Sequence, residues 1–171
     1  MINKLKSVLT STLLVFAVVA NAQTTDLVDV AMSSKDHTTL VTALKTADLV
    51  NTLKGKGPFT VFAPTNAAFG KLPEGTVESL LKAESKANLV KILTYHVVAG
   101  NLSAYDIMAA IKKGKGKAVI KTLQGQSLTA RLENGKVILT DSKGGKSMIT
   151  TTDLPASNGV IHIIDTVAMP K

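Results

Sequence analysis

Histidines are the residues in this chain best suited to proton transfer, and there are three of them. His162 stands between two isoleucines, and in a strand Asp165, three residues further on, would point to the opposite face. A histidine without an acid or nucleophile beside it is typical of a structural residue whose ring nitrogens bond to backbone or hydroxyl groups. His37, next to Asp36 and before a helix, reads as a surface or capping residue. We therefore expect neither histidine to be catalytic.

Tyr95 and His96 follow each other at the end of a predicted helix. A protonated imidazole there would complement the negative end of the helix dipole. Aromatic side chains usually pack inward, so the pair could instead hold the helix against a sheet. Both alternatives stay open.

Positive charge is the second feature with chemical meaning. Lys112, Lys113, Lys115 and Lys117 are interleaved with glycines, and Lys143 and Lys146 belong to another glycine-rich stretch. Flexible lysine-rich loops attract polyanions such as an acidic polysaccharide or an anionic cell surface. The alternative is a solvated loop that keeps the protein soluble. The cluster lacks interleaved aromatic residues, and Arg131 is the chain's single arginine, so we expect no nucleic-acid partner.

The composition excludes several kinds of site. The absence of cysteine excludes zinc clusters, thiol nucleophiles and disulfides. The chain contains no G-x-S-x-G, H-E-x-x-H or P-loop motif. We therefore expect no enzyme, no cofactor and no metal site, with a hydrolase assembled from distant residues as a remote alternative.

The first 22 residues have the pattern of a secretory signal peptide. Lys4 and Lys6 precede an apolar run, and Ala20-Asn21-Ala22 provides small residues for cleavage. The run from Val8 to Ala20 is shorter than the roughly 20 residues of a membrane-spanning helix. The sequence therefore predicts a signal peptide over residues 1–22, a single domain over residues 23–171, and no stable membrane insertion after cleavage. Loss of the two lysines lowers the formal charge from +8 to +6.

Hydrophobic periodicity predicts helices first and strands later. Helical spacing of apolar residues is found in 27–32, 40–44, 49–53, 67–69, 77–81, 89–98 and 103–111. Thr65 or Asn66, Thr76 and Ser103 are the expected helix caps. A buried strand is predicted at 59–63, and further strands at 119–124, 127–132, 136–140, 148–152 and 160–167. Asn134-Gly135 between two of them indicates a hairpin. This order predicts an α+β fold with a mostly non-parallel sheet.

Three segments in this order resemble the fasciclin-like domain family. They are GPFTVFAPTNAAF at 57–69, LTYHVV at 93–98 and NGVIHIID at 158–165. The sequence at 72–81 and 123–128 also resembles that family. The resemblance implies a wedge or sandwich of short strands with several helices packed against it, and makes the first and third segments neighbouring core strands. It implies roles in cell adhesion, matrix assembly and protein or glycan interaction, without a general catalytic activity.

The resemblance also nominates interaction residues. In animal relatives the Tyr-His region is linked to integrin-mediated adhesion, which makes Tyr95 and His96 candidates. Asp153-Leu154 occupies the place of an Asp-Ile pair that animal relatives present to integrins, although Thr152 and Pro155 beside it differ from those relatives.

The sequence thus predicts a secreted, periplasmic or extracellular, non-catalytic module for adhesion or interaction. The expected partner is a cell-surface or matrix protein or an acidic polysaccharide. The alternative is a polyanion or small-ligand binding protein that uses Lys112, Lys113, Lys115 and Lys117.

Overall fold

The helices of this protein are short, and three of the seven described α-helices begin at a side-chain cap, from Asp26, Thr65 or Ser103. The structure, a computed structural model, describes residues 25–171, so the predicted signal peptide lies outside the described residues. Within them the α-helices are α1 (Leu27–Ser33), α2 (Thr38–Thr46), α3 (Val50–Leu53), α4 (Asn66–Gly70), α5 (Thr76–Leu80), α6 (Lys86–Tyr95) and α7 (Ala104–Lys113). Two 3₁₀ turns lie at Lys35–His37 and Ala83–Ser85.

Two of the three helix caps expected from the sequence are confirmed. Thr65 accepts a hydrogen bond from the Ala68 amide, and Ser103 forms a reciprocal capping box with Asp106. The expectation for Thr76 is wrong, because Thr76 is the first residue of α5 and Gly75 precedes it as the cap. Gly75 has φ +77°, a left-handed conformation that suits glycine.

Seven strands form one sheet in the described part of the chain. They are β1 (Phe59–Pro64), β2 (Val97–Ala99), β3 (Ala118–Lys121), β4 (Ser127–Glu133), β5 (Lys136–Thr140), β6 (Lys146–Ala156) and β7 (Gly159–Ile164). Their order is β2-β1-β7-β6-β5-β4-β3. β1 and β7 are parallel and the other neighbours are antiparallel, which confirms the mostly non-parallel α+β sheet.

The strands within segments 57–69 and 158–165 do lie side by side, as the resemblance implied. Phe59 is level with Gly159, and Pro64 is level with Ile164. The Asn134-Gly135 hairpin is also confirmed, since both residues have positive φ and Glu133 pairs with Lys136. β2 was missed: the helix ends at Tyr95, and the valines that follow pair with β1 instead of extending the helix.

β6 is long and bent, and it joins two halves of the sheet. Residues 146–148 pair with β5, and residues 149–156 pair with β7 across two register shifts. Bulges of this kind bend a strand and increase its twist. The sheet therefore forms a wedge rather than a flat layer.

Two hydrophobic clusters fill the protein on either side of β1 and β7. The helix-side cluster includes Leu27, Leu40, Leu44, Val61, Phe69, Leu89, Leu93 and Ile161. The sheet-side cluster includes Phe62, Ile107, Ile111, Leu128, Leu139, Ile149 and Ile164. Because both faces of β1 are covered, its sequence is a continuous apolar run instead of an alternating one.

Gly159 allows β7 to approach β1 closely. A Cβ atom at residue 159 would overlap the carbonyl oxygen of Phe59, whereas a Cβ at Gly70 meets no atom within 4 Å. Replacing Gly159 by alanine is expected to lower the free energy of unfolding by about 1–3 kcal/mol, as for other overpacked core sites. Urea unfolding would measure this change. The matched Gly70→Ala variant, in a helix, should be neutral or more stable by up to about 1 kcal/mol; equal effects of the two variants would contradict the prediction.

Candidate functional site

Tyr95 ends α6 with its side chain buried inside the wedge, 0% exposed. Its hydroxyl donates a hydrogen bond to the Ser127 carbonyl at 2.9 Å and accepts one from the Ser142 amide at 3.0 Å. Burial raises the pKa of Tyr95. The ring therefore ties α6 to the beginning of β4 and to the turn that follows β5.

His96 is equally buried and links three parts of the chain. Its Nδ1–H donates to the Ile92 carbonyl at 2.8 Å, and its Nε2 accepts from the Ala168 amide at 3.0 Å. These partners place the ring proton on Nδ1, because a carbonyl can only accept and an amide can only donate. Burial lowers the pKa of His96 to about 4. Of the two alternatives, the protonated imidazole is therefore not supported, because desolvation outweighs the hydrogen bond to Ile92 and the charge of Asp141, which both raise the pKa.

Both residues hold α6 against the sheet, which was one of the two alternatives left open. Neither presents a contact surface in this conformation. A part for Tyr95 and His96 in recognition stays a prediction.

Asp153 and Leu154 lie at the bulge of β6, with the carboxylate of Asp153 exposed and Leu154 half-buried. Asp153 has φ +57° and accepts a hydrogen bond from the Ala104 amide at 2.8 Å, at the beginning of α7. Its own amide donates to Nδ1 of His162 at 3.3 Å, and Nε2–H of His162 donates to the Leu102 carbonyl at 2.7 Å. The predicted interaction pair thus lies at the surface, with its backbone anchored by a buried histidine.

His162 is confirmed as a structural residue. Both ring nitrogens bond to backbone groups, and the ring stacks on Phe62 with 5.6 Å between centroids. His37 is buried instead of exposed, and burial lowers its pKa. Its Nδ1 lies 2.8 Å from the hydroxyl of Ser34, which caps the adjacent 3₁₀ turn. Its capping surroundings were expected, but its burial was not.

The lysine patch (Lys112, Lys113, Lys115 and Lys117) lies at the C-terminal end of α7. Lys112 and Lys113 belong to the last helical turn, where positive charge complements the helix dipole. All four side chains are exposed, and none forms an ion pair with another residue of 25–171. Lys146, in contrast, pairs with Glu133 at 2.9 Å.

The connection after α7 is a tight turn and not the flexible loop that the sequence suggested. The amides of Gly114 and Gly116 each donate at 2.9 Å, to the carbonyls of Ala110 and Ile111 respectively. A Cβ at residue 114 would overlap the Lys117 carbonyl. The turn therefore holds the four lysines in a defined arrangement.

An apolar stripe beside the patch was missed by sequence reasoning. Tyr105 is 79% exposed and Met108 is half exposed, and both share a helical face with Lys112. The buried face of this helix is formed by Ile107 and Ile111. The sequence could have shown this stripe, because Tyr105, Met108 and Lys112 are three and four residues apart, which is the spacing of one helical face.

No group of three histidine, aspartate or glutamate residues within 25–171 could hold a metal ion. No helix in that range is both long and apolar enough to cross a bilayer.

Comparisons with known proteins identify similar chains. The family model described as Fasciclin domain matches residues 35–170. Protein sll1483 of Synechocystis is 48% identical over 157 residues, which are 90% of this chain and 80% of that protein. The cell surface glycolipoprotein MPB83 of Mycobacterium bovis is 38% identical over 123 residues, 72% of this chain and 48% of that protein.

A solved structure shows the same fold. The FAS1 domain pair from the insect cell adhesion molecule fasciclin I matches 84% of this chain and 50% of that one, with a TM-score of 0.72 and 20% identity. This similarity confirms the wedge of strands with packed helices.

The two tyrosines of the chain offer a matched test of the buried hydroxyl. Tyr95→Phe removes one partner from the Ser127 carbonyl and the Ser142 amide, so it should cost about 1–3 kcal/mol of stability, measured by urea unfolding. Tyr105→Phe, on the exposed stripe, should stay within about 0.5 kcal/mol of the parent protein. A loss in the second variant as large as in the first would contradict the structural role of Tyr95.

Buried His96 predicts a loss of stability in mild acid. Its pKa falls from 6.5 in a model peptide to about 4 in the folded protein, so the unfolded chain binds more protons between these values. The His96 contribution to stability is therefore complete above about pH 6.5 and declines as the pH falls toward 4, by about 3 kcal/mol in total.

Nuclear magnetic resonance titration of the His96 ring would measure this directly, with protonation expected near pH 4. Urea unfolding between pH 7 and pH 4 should show a weaker pH dependence for His96→Gln than for the parent. His37 titrates in the same direction and remains in both proteins, so the difference reports His96. A ring that titrates near pH 6.5 would contradict the prediction.

Proposed function

Because this chain belongs to the fasciclin domain family, we propose that it is a secreted, non-catalytic adhesion or interaction module. It contacts proteins or glycans at the cell surface or in the extracellular matrix. Its relatives include a protein named for the cell surface, and its fold is that of a named cell adhesion molecule. These names support a location outside the cytoplasm, either periplasmic or extracellular.

One observation supports the site of contact: four exposed lysines that form no ion pair within residues 25–171 lie close together in sequence at the end of α7. Unpaired charges on a hydrogen-bonded turn create a local positive potential without the entropic cost of ordering a loop. The exposed Tyr105 and Met108 lie beside them on the same helix. A surface that combines positive charge with exposed apolar side chains suits recognition of an acidic macromolecule.

The alternative function is the binding of a polyanion without a role in adhesion. It would use the same four lysines. The absence of ion pairs between the lysine patch and the carboxylates of residues 25–171 supports both functions equally. The two functions differ in what else contributes: a polyanion binder needs only charge, whereas an adhesion module also uses the apolar stripe or the Asp153-Leu154 bulge. Small-ligand binding has less support at this place, because all four lysines of the patch are exposed.

A non-catalytic role is supported by the surroundings of two of the three histidines. His96 and His162 use all their ring nitrogens on backbone groups. General base catalysis requires a nitrogen within reach of a substrate proton. Neither ring offers one in this conformation.

Charge-matched variants test the proposal. The first variant replaces the lysine patch by glutamine, and the control replaces four exposed lysines elsewhere, so that both lose the same charge. The control lysines are Lys35, Lys45, Lys82 and Lys91, which form no ion pair within 25–171.

Retention on the producing cell's envelope and on its acidic polymers would be measured at increasing salt. The parent and the control should bind, and the patch variant should bind at least about tenfold more weakly with a shallower salt dependence. Equally weakened binding of both variants would show that the interaction depends on the protein's net charge and not on the lysine patch. No retained polymer or protein at any salt would contradict the interaction function itself.

A further inference from the structure

The two edge strands of the sheet, β2 and β3, border a common notch of about 290 Å³. Val98 and Ala99 line it from β2, the residues of β3 line it opposite, and Ile107 and Ala110 of α7 contribute further lining. At one end the strands are joined, because the Leu123 amide donates to the Val97 carbonyl at 2.7 Å. The notch is therefore an opening between two sheet edges, closed at one end.

The free edge of β3 exposes backbone groups of alternate residues. The Thr122 amide bonds to the Gln126 carbonyl at 3.0 Å, in register with the β3–β4 ladder. Antiparallel ladders alternate, so Ile120 and Ala118 also bond to β4, while the peptide groups of Val119 and Lys121 point away from it. Outside that ladder, no backbone bond from either residue to another described residue is found.

The edge of β2 that faces the notch also exposes backbone groups of alternate residues. The Phe62 amide bonds to the His96 carbonyl, and the Gly100 amide bonds to the Pro58 carbonyl. In that register Val98 pairs with β1, and Ala99 turns its peptide groups to the free edge. Unpaired backbone groups thus border the notch on both sides.

Lysine side chains lie beside the notch, and their positive charge favours a negatively charged occupant. Val119 is 68% exposed, and Lys117 and Lys121 lie on its face of β3 by the two-residue period. The remaining lysines of the patch precede β3 directly. Asp106 is the one carboxylate among the lining residues, and it is engaged by the amide and hydroxyl of Ser103 at 2.9 and 2.6 Å.

We propose that this notch accepts an extended acidic segment of a partner protein, added as a further strand along the free edge of β3. The segment's backbone pairs with Val119 and Lys121, its alternate apolar side chains enter the notch, and its carboxylates reach Lys117 and Lys121. The same lysines repel the β3 edge of a second copy, which protects an exposed edge strand from self-association. The inference rests on the proposed function and names its partner class.

A polypeptide fits these observations better than a polysaccharide. Both would be attracted by the lysines, but the unpaired amides and carbonyls of Val119 and Lys121 match the spacing of another peptide strand. This difference supplies the test.

The probe is a fluorescent seven-residue peptide of alternating glutamate and valine, and binding is followed by anisotropy. Two comparison peptides carry N-methyl groups on alternate amides or lysine in place of glutamate. The parent peptide should bind, the N-methylated peptide should bind at least about tenfold more weakly because it cannot form the strand hydrogen bonds, and the lysine peptide should not bind.

Two measurements on the protein locate the bound peptide. Binding should slow hydrogen exchange at the amides of Val119 and Lys121, while the Ile120 amide, already bonded to β4, should change little. Val119→Pro removes an edge amide without touching the β4 ladder and should weaken binding at least about tenfold. If that variant fails to fold, the N-methylated peptide gives the same test with the parent protein.

The outcomes separate this inference from the proposed function. Equal binding of the N-methylated peptide, or unchanged exchange at Val119 and Lys121, overturns strand addition. Binding of the acidic polysaccharide alginate through the lysine patch, without peptide binding, overturns strand addition and leaves the proposed function standing. Binding of neither probe, together with no retained envelope polymer or protein, contradicts both.

Discussion

The parallel pairing of β1 with β7 is the contact around which the other elements of this protein are arranged. It joins the early strand, Phe59–Pro64, to the last one, Gly159–Ile164, so most of the chain lies between the partners. Both hydrophobic clusters use residues of these strands, Val61 and Ile161 on one side and Phe62 on the other. Closing so long a loop is entropically costly, and burial of both faces of the pair offsets that cost.

Three buried polar rings then connect the segments around this pair to one another. Tyr95, His96 and His162 each bond to backbone groups from distant parts of the chain. Satisfied polar groups in a low-dielectric interior specify one arrangement of the segments, because leaving any of them unpaired is costly. These three residues, which have the side chains best suited to chemistry, therefore stabilise the fold.

The surface features collect around α7. Its first turn is capped by Ser103 and Asp106 and receives Asp153 from the bulge of β6. Its last turn begins the lysine patch, and the following residues form β3 at the open edge of the sheet. One short helix thus brings together the bulge, the positive charge and the unpaired strand edge. A partner that contacts this end of the protein meets all three.

The features that depend on residues near one another in the chain could be predicted from the sequence. Helical spacing, the Ser103 cap and the Asn134-Gly135 hairpin are local, and the apolar runs of β1 and β7 identified the core strands. What depended on distant contacts was decided only by the tertiary structure. The valines after His96 became a strand because β1 offers unpaired backbone groups there. The imidazole of His96 became neutral because residues far along the chain bury it. The notch between β2 and β3 exists only because the wedge brings two sheet edges together. The neutral state of His96 and the pairing of sheet edges depend on contacts between distant residues, which only the assembled chain makes.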